Sequence, residues 1–190
     1  MQTQTKTIAV SGAPGSFSEE AGMLYAQRMG VTPQITFAVD MEGVLKAVDS
    51  GETELGIFPV VNSRGGLVHM AFDAMAKYTF RMIDELWFEV YQCIMTLPGT
   101  KLENIDTIAS HPQAIAQCDR YLKQYFPNAK IVVWEDTAKA AKDLHEGRLS
   151  KNTAVIAPSR SAQLYELDMI EGGIQDEHPN LTTFIIVEKV

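Results

Sequence analysis

Short apolar β-type runs alternate with amphipathic helical runs along the whole chain, and this alternation limits the available folds more than any other feature. Lys6–Ser11 reads as a strand, and Gly12-Ala13-Pro14-Gly15 separates it from a helix running from Ser18 to about Met29. Gln34–Val39 is a second strand. Met41–Ser50 carries Val44, Leu45 and Val48 on one helical face, and Gly51 ends it. Glu54–Phe58 is a third strand, stopped by Pro59, and Leu67–Lys77 is helical. Thr79–Leu97 is rich in β-formers and makes two strands or one long bent one. Strands recur near 105–109, 130–134 and 153–157, with helices near 112–125, 137–146 and 159–165, and Thr182–Val187 is the last strand. A helix between strands lets the next strand run parallel, so the rhythm predicts an α/β protein with mostly parallel sheets. The β-rich stretch at 79–97 predicts a crossover between two lobes. The first covers about 1–85 plus 175–190, and the second about 86–174. In such folds ligands sit at the carboxyl ends of strands or between lobes. Those ends fall at 11–18, 59–66, 110–117, 134–138, 157–160 and 175–184.

A chain of 190 residues with 46% hydrophobic content can build one large core or two smaller lobes. The formal charge of −8 argues against nucleic acid or an anionic membrane as partner, since both demand a basic surface. It leaves room for a locally positive pocket that takes a small anion. Cys93 and Cys118 both lie in apolar patterns, which suits reduced, buried thiols in a cytoplasmic protein. His69, His111, His145 and His178 show no ligand spacing with the cysteines, so no metal is expected. The loop Gly12–Glu20 lacks the spacing of a dinucleotide fingerprint and the lysine of a P-loop, and no cofactor is expected either. The polar N-terminus does not read as a signal peptide, and no apolar run approaches membrane-spanning length.

Four segments carry chemistry. Strand Thr107-Ile108-Ala109 runs into Ser110-His111-Pro112-Gln113 and then a helical pattern containing Gln117. Ser110 suits an N-cap and Pro112 the first turn, so a hydroxyl, an imidazole and unpaired N–H groups converge where an anion would be favoured. The same sequence also suits a purely structural junction. Asn62-Ser63-Arg64, between Pro59 and Gly65-Gly66, offers an amide, a hydroxyl and a guanidinium, or alternatively ordinary turn chemistry. Asp136 or Thr137 caps the helix that follows Trp134-Glu135. Asn180-Leu181-Thr182-Thr183-Phe184 opens the last strand, where paired threonines are also plain β-formers. No Ser/His/acid triad, HExxH motif or conspicuous carboxylate pair occurs, so any chemistry rests on neutral hydrogen bonders.

Taken in order, these segments resemble the prephenate dehydratase catalytic domain. The matching pieces are Gly12-Ala13-Pro14-Gly15-Ser16-Phe17-Ser18, then Gly56-Ile57-Phe58-Pro59 with Asn62-Ser63 and Gly66. Next come Ser110-His111-Pro112-Gln113 with Gln117-Cys118, Thr137-Ala138 with Ala140-Ala141, and finally Asn180-Leu181-Thr182-Thr183-Phe184. The resemblance runs from about residue 6 to 188. It implies a two-lobed fold of the type II periplasmic-binding-protein kind, with the active site in the interlobe cleft, and a homodimer. It implies conversion of prephenate, a small dicarboxylate, to phenylpyruvate in phenylalanine biosynthesis. By resemblance Thr182 assists departure of the ring hydroxyl. Asn62, Ser63, Ser110, His111, Gln113, Gln117, Thr137, Thr183 and Phe184 are the expected substrate contacts. Neither the chorismate mutase domain nor the phenylalanine-sensing ACT domain common in the family is read in these residues, so feedback inhibition by that route is not expected. Two positions depart from the family pattern: its Glu before the Asn is Val61, and the Arg of its Thr-Arg-Phe signature is Thr183. An acid and a base are lost together, and Arg64 and Arg160 are the cations nearest the matching segments. The other readings are a diverged relative with non-aromatising decarboxylase chemistry on a cyclohexadienyl acid, and a non-catalytic ligand-binding protein.

Overall fold

The computed structural model describes residues 4–190. In chain order the elements are β1 (Thr5–Ser11), α1 (Phe17–Met29), β2 (Thr32–Ala38), α2 (Met41–Ser50), β3 (Leu55–Asn62) and β4 (Gly66–Leu67). Then follow α3 (His69–Met75), β5 (Phe80–Glu89), β6 (Cys93–Thr96), β7 (Thr107–Ser110), α4 (Pro112–Gln117) and α5 (Asp119–Tyr125). The remaining elements are β8 (Lys130–Val133), α6 (Thr137–His145), β9 (Thr153–Ala157), α7 (Ser159–Leu164), β10 (Asp168–Gly172) and β11 (Leu181–Lys189). Helix ends are set by local chemistry. The Asp40 carboxylate accepts from Gly43 N at the start of α2, and Gly51 closes it with φ 76°. The Asp136 carboxylate, not Thr137, caps α6 by accepting from Lys139 N.

The chain divides into two compact units. The first holds the described residues up to Ala13, Phe17–Glu89 and Pro179–Val190; the second holds Pro14–Ser16 and Val90–His178. In the first unit the strand order is β2-β1-β3-β11-β5, with β4 paired to β3. β1 runs parallel to both β2 and β3, because α1 and α2 carry the chain back between them. β11 lies antiparallel to β3 and β5. One face of this sheet packs Ala21, Tyr25 and Ala26 of α1 with Ile8, Ile57 and Ile186. The other packs Val44, Leu45 and Val48 of α2 with Phe58 and Ile185.

The second unit has strand order β10-β6-β9-β7-β8, with β7 parallel to β8 and β9 and the other pairings antiparallel. Both sheets are thus mixed rather than mostly parallel. Parallel pairing is confined to strands joined by crossover helices, while β6 and β11 enter their sheets without one. α4 and α5 cover one face through Ala114 and Leu122, and α6 covers the other through Ala140, Ala141 and Leu144.

Three local expectations change. Pro59 does not stop the third strand, which continues to Asn62. It sits beyond the last β1 partner and beside the register shift of β11, where its missing N–H removes no ladder bond. The helix expected at 112–125 breaks at Cys118, whose φ and ψ are −114° and 18°. β10 has no counterpart among the strands that the sequence pattern predicts. The Pro14–Ser16 loop is held by α7 and the residue after it. Ser161 Oγ donates to Gly15 O at 2.9 Å and Tyr165 OH donates to Pro14 O at 2.9 Å. Gly15 has φ 87°, and a Cβ there would stand 2.7 Å from Ser161 Oγ, so this loop requires glycine.

Candidate functional site

In open α/β sheets, loops that leave neighbouring parallel strands toward opposite faces open a crevice at the strands' carboxyl ends. In the first unit that place is the end of β1 and β3, and in the second the end of β7 and β9. The expected site segments lie there or on strands paired with them.

In the first unit, Asn62 ends β3 opposite Thr182 of β11. The Asn62 amide donates from Nδ2 to Thr182 Oγ1 at 2.8 Å and to Asn180 Oδ1 at 2.9 Å. Its Oδ1 accepts from the main-chain N of Arg64 at 2.9 Å and of Gly65 at 2.6 Å. Asn62, Asn180 and Thr182 are all buried. The four hydrogen bonds that a carboxamide offers are therefore spent within the protein. Asn62 was expected to contact substrate, but this geometry makes it the brace of Thr182. Because Thr182 Oγ1 already accepts from Asn62, its own proton is the part it can give away. The loop beyond is closed by Ser63, whose N donates to Leu181 O at 2.7 Å and whose Oγ accepts from Leu181 N at 2.9 Å. Arg64 Nε donates to Pro179 O at 3.3 Å, on the segment that leads through Asn180 into β11.

Thr183 pairs with Val61 of β3 on one side and Trp87 of β5 on the other. The two positions that depart from the family pattern are thus cross-strand neighbours, and each is half-buried. Phe184, an expected substrate contact, is 1% exposed and packs edge-on against Phe88, with ring centroids 6.2 Å apart. The register shift between Thr183 and Phe184 turns that ring into the core of the first unit.

In the second unit, Ser110 is fully buried and its Oγ donates to Ile156 O at 2.6 Å, tying β7 to β9. It does not cap α4. His111 does, its Nδ1 accepting from Gln113 N at 3.2 Å, which places the neutral ring's proton on Nε2. Gln113 is exposed in the first turn of α4, and Gln117 is half-buried at its last residue. The anion site expected at this helix start therefore belongs to a helix of only 6 residues. Thr137 is half-buried at the first position of α6, three residues past Trp134, whose N donates to Ser110 O at 2.8 Å. Arg160 lies in α7.

Three buried carboxamides were absent from the expected contacts. Asn180 completes the Asn62 brace. Gln92 donates from Nε2 to Gln117 Oε1 at 3.1 Å, and Gln175 Oε1 accepts from Gln92 N at 3.0 Å. Asn180 stands in the quoted motif, but Gln92 signals only by being polar beside apolar neighbours, and Gln175, in a polar run, carries no signal. Among the described residues, no group of three or more His, Cys, Asp or Glu side chains is placed to hold a metal ion.

The two mixed α/β units first define the class, the periplasmic-binding-like fold. Within that class, the family model for prephenate dehydratase matches residues 8–190, and the chain belongs to that family. Arogenate dehydratase 5, a chloroplastic protein of Arabidopsis thaliana, is 33% identical over 97% of this chain and 42% of its own length. The crystal structure of prephenate dehydratase from Arthrobacter aurescens in complex with L-Phe superposes with a TM-score of 0.87 at 28% identity. The match covers 97% of this chain and 60% of that one. A solved structure named GqqA, described as a novel type of quorum quenching acylase, has a TM-score of 0.83 at 26% identity, over 97% of this chain and 64% of its own. The chain thus spans less than half the length of the Arabidopsis relative.

Proposed function

We propose that this chain is the catalytic unit of a prephenate dehydratase, converting prephenate to phenylpyruvate, carbon dioxide and water in phenylalanine biosynthesis. The observation that supports this reading is the Thr182 hydroxyl, buried and accepting from Asn62, which leaves its own proton to donate. In the reaction the bond from the ring to its carboxylate breaks and its electron pair moves into the ring. The ring C–O bond breaks, and the leaving oxygen takes the Thr182 proton, which solvent replaces. Aromatisation supplies the driving force, so a fixed geometry and a weak acid are enough. Ser63, His111, Gln113, Gln117, Thr137 and Thr183 are the residues that would orient the dicarboxylate. The two compact units act as the lobes of one catalytic unit. The same reading makes the protein a cytoplasmic homodimer with no nucleic-acid or membrane partner. Family resemblance supports the dimer, two free buried cysteines suit a reducing compartment, and the net charge of −8 disfavours polyanions. No helix among the described residues is long and apolar enough to cross a membrane.

The experiment is a product assay with prephenate that reads aromatic and non-aromatic products, together with light scattering for the dimer. Phenylpyruvate formed by the wild type and not by Thr182→Ala is the expected result. Prephenate loss without an aromatic product would make the chain a decarboxylase, and ligand-induced thermal stabilisation without turnover would make it a binding protein. The Arabidopsis relative's name makes arogenate, which has an amine where prephenate has a ketone, the second substrate to assay.

A further inference from the structure

We propose that Phe88 is a specificity-determining residue of the Thr182 site. It walls the hydroxyl on the side away from Asn62, receives the six-membered ring of the substrate, and leaves the Thr182 proton no acceptor but the leaving oxygen. The role rests on the reading of Thr182 as the proton donor. Thr182 has two cross-strand partners, Asn62 of β3 and Phe88 of β5. Directly opposed residues of antiparallel strands share a face and have Cβ atoms about 5 Å apart. Leu86, Phe184 and Ile186, which alternate with Phe88 and Thr182 along β5 and β11, lie in the core under α1, and Phe88 packs against the same cluster. The row across β3, β11 and β5 on that face is therefore amide, hydroxyl and phenyl ring.

Phe88 belongs to a chain of aromatic rings that runs outward from the core. Phe184, 1% exposed, meets it edge to face with centroids 6.2 Å apart. Phe17, the first residue of α1, meets it at 6.3 Å with the ring planes 59° apart. These contacts do not close over it, and Phe88 and Phe17 both stay half-buried. Apolar surface left open beside a buried hydroxyl is what a ligand pocket presents: the apolar part holds the ligand's body and the polar group orients it. A cyclohexadienyl acid matches this pair, with an unsaturated ring for Phe88 and a ring hydroxyl for Thr182. The two neighbours of Thr182 also leave its proton uncommitted. Asn62 donates to Oγ1, and the Asn62 Oδ1 already accepts from the main-chain N of Arg64 and Gly65. A phenyl ring on the other side offers no oxygen or nitrogen to compete for that proton. A polar side chain at position 88 would compete, and a proton held by the protein is not passed to the leaving oxygen.

The test compares Phe88→Leu and Phe88→Gln with wild type in the full chain, by prephenate kinetics and thermal melting, and adds a crystal structure of Thr182→Ala with prephenate. Both substitutions remove the ring from Phe184 and Phe17, so a purely structural role would move kcat alike in the two. Phe88→Leu keeps an apolar wall and is expected to raise KM about threefold, the scale of one lost ring contact, with a smaller change in kcat. Phe88→Gln sets a carbonyl beside Thr182 and should bring kcat about tenfold or more below that of Phe88→Leu, the scale of one misdirected hydrogen bond. In the complex the substrate ring should lie in van der Waals contact with Phe88, and this decides the matter even if Phe88→Gln fails to fold. Equal kcat in the two variants, or a substrate ring seated away from Phe88, would overturn the proposal while leaving the proposed function in place. A wild type that neither turns over prephenate nor is stabilised by it overturns the proposed function, and the role of Phe88 falls with it.

Discussion

Asn62 reaches partners 118 and 120 positions away in the chain, Asn180 and Thr182, while also holding the N–H groups of its own loop. Asn62→Asp keeps the acceptor side of this arrangement and loses the donor side. Thr182 would then donate its proton to the new carboxylate, so turnover should fall as far as in Thr182→Ala while the thermal melt stays close to wild type. Asn62→Ala should instead cost about 1–3 kcal/mol, seen as a lower urea midpoint, because buried partners are left unpaired. The Val61–Thr183 pair permits a second test. Thr183→Arg alone sets a half-buried guanidinium opposite a valine and should lower the melting temperature. Adding Val61→Glu should restore it, with a coupling of about 0.5–1 kcal/mol in a double-mutant cycle. A coupling of zero would show that the two departures are independent. Family likeness made Asn62, Thr182 and both departures legible from sequence. The brace was not, because a hydrogen bond across more than a hundred residues leaves no local pattern. Nor was the inward turn of Phe184, which depends on a register shift between strands.

Signals that act over three or four residues set their elements locally and are legible in the sequence. Met41–Ser50 has the bounds its pattern predicts, since Asp40 caps one end and Gly51 the other. Signals whose meaning depends on neighbours distant in the chain are not legible there. Pro59 looks like a strand end until the ladder around it is known. β10, Asp168–Gly172, pairs only with β6 and lacks an apolar alternation. The glycine loop after β1 is gripped from far along the chain, by Ser161 of α7 and by Tyr165 just past it. Gly15→Ala should cost about 1–3 kcal/mol, measured by chemical denaturation, because its φ of 87° and the 2.7 Å approach to Ser161 Oγ both oppose a side chain. The break between α4 and α5 also has a chemical signature. Burial pushes the Cys118 thiol pKa well above its ordinary range, with the Asp176 carboxylate and Cys93 adding to the shift. A raised pKa keeps the thiol protonated at pH 8. Cys118 should therefore resist iodoacetamide in the native protein and react once urea unfolds it, and rapid native labelling would mean that the junction opens.

At the scale of the whole molecule, the β-rich stretch at 79–97 predicts a crossover between two lobes, with the last strand back in the first. The pattern could not show that Pro14–Ser16 belongs to the second unit, because three residues carry no periodicity. The return strand, β11, lies between β3 and β5, inside the first sheet rather than at its edge. Deleting residues 181–190 should collapse the first unit and leave the second, which ends at His178, with its secondary structure. The two tryptophans report on this separately. Trp87 on β5, already 62% exposed, should lose its fixed surroundings and its near-UV dichroism, while Trp134, bonded to Asp143 at 2.9 Å, should keep its native emission. The position of β11 also sets an order of events during synthesis. Every strand of the second unit leaves the ribosome before β11 does, so that unit can fold while the first still lacks an inner strand. Thr182 arrives on that late strand. A nascent chain that stalls short of it exposes an unfinished sheet to proteases and chaperones and never acquires the hydroxyl on which the proposed chemistry depends.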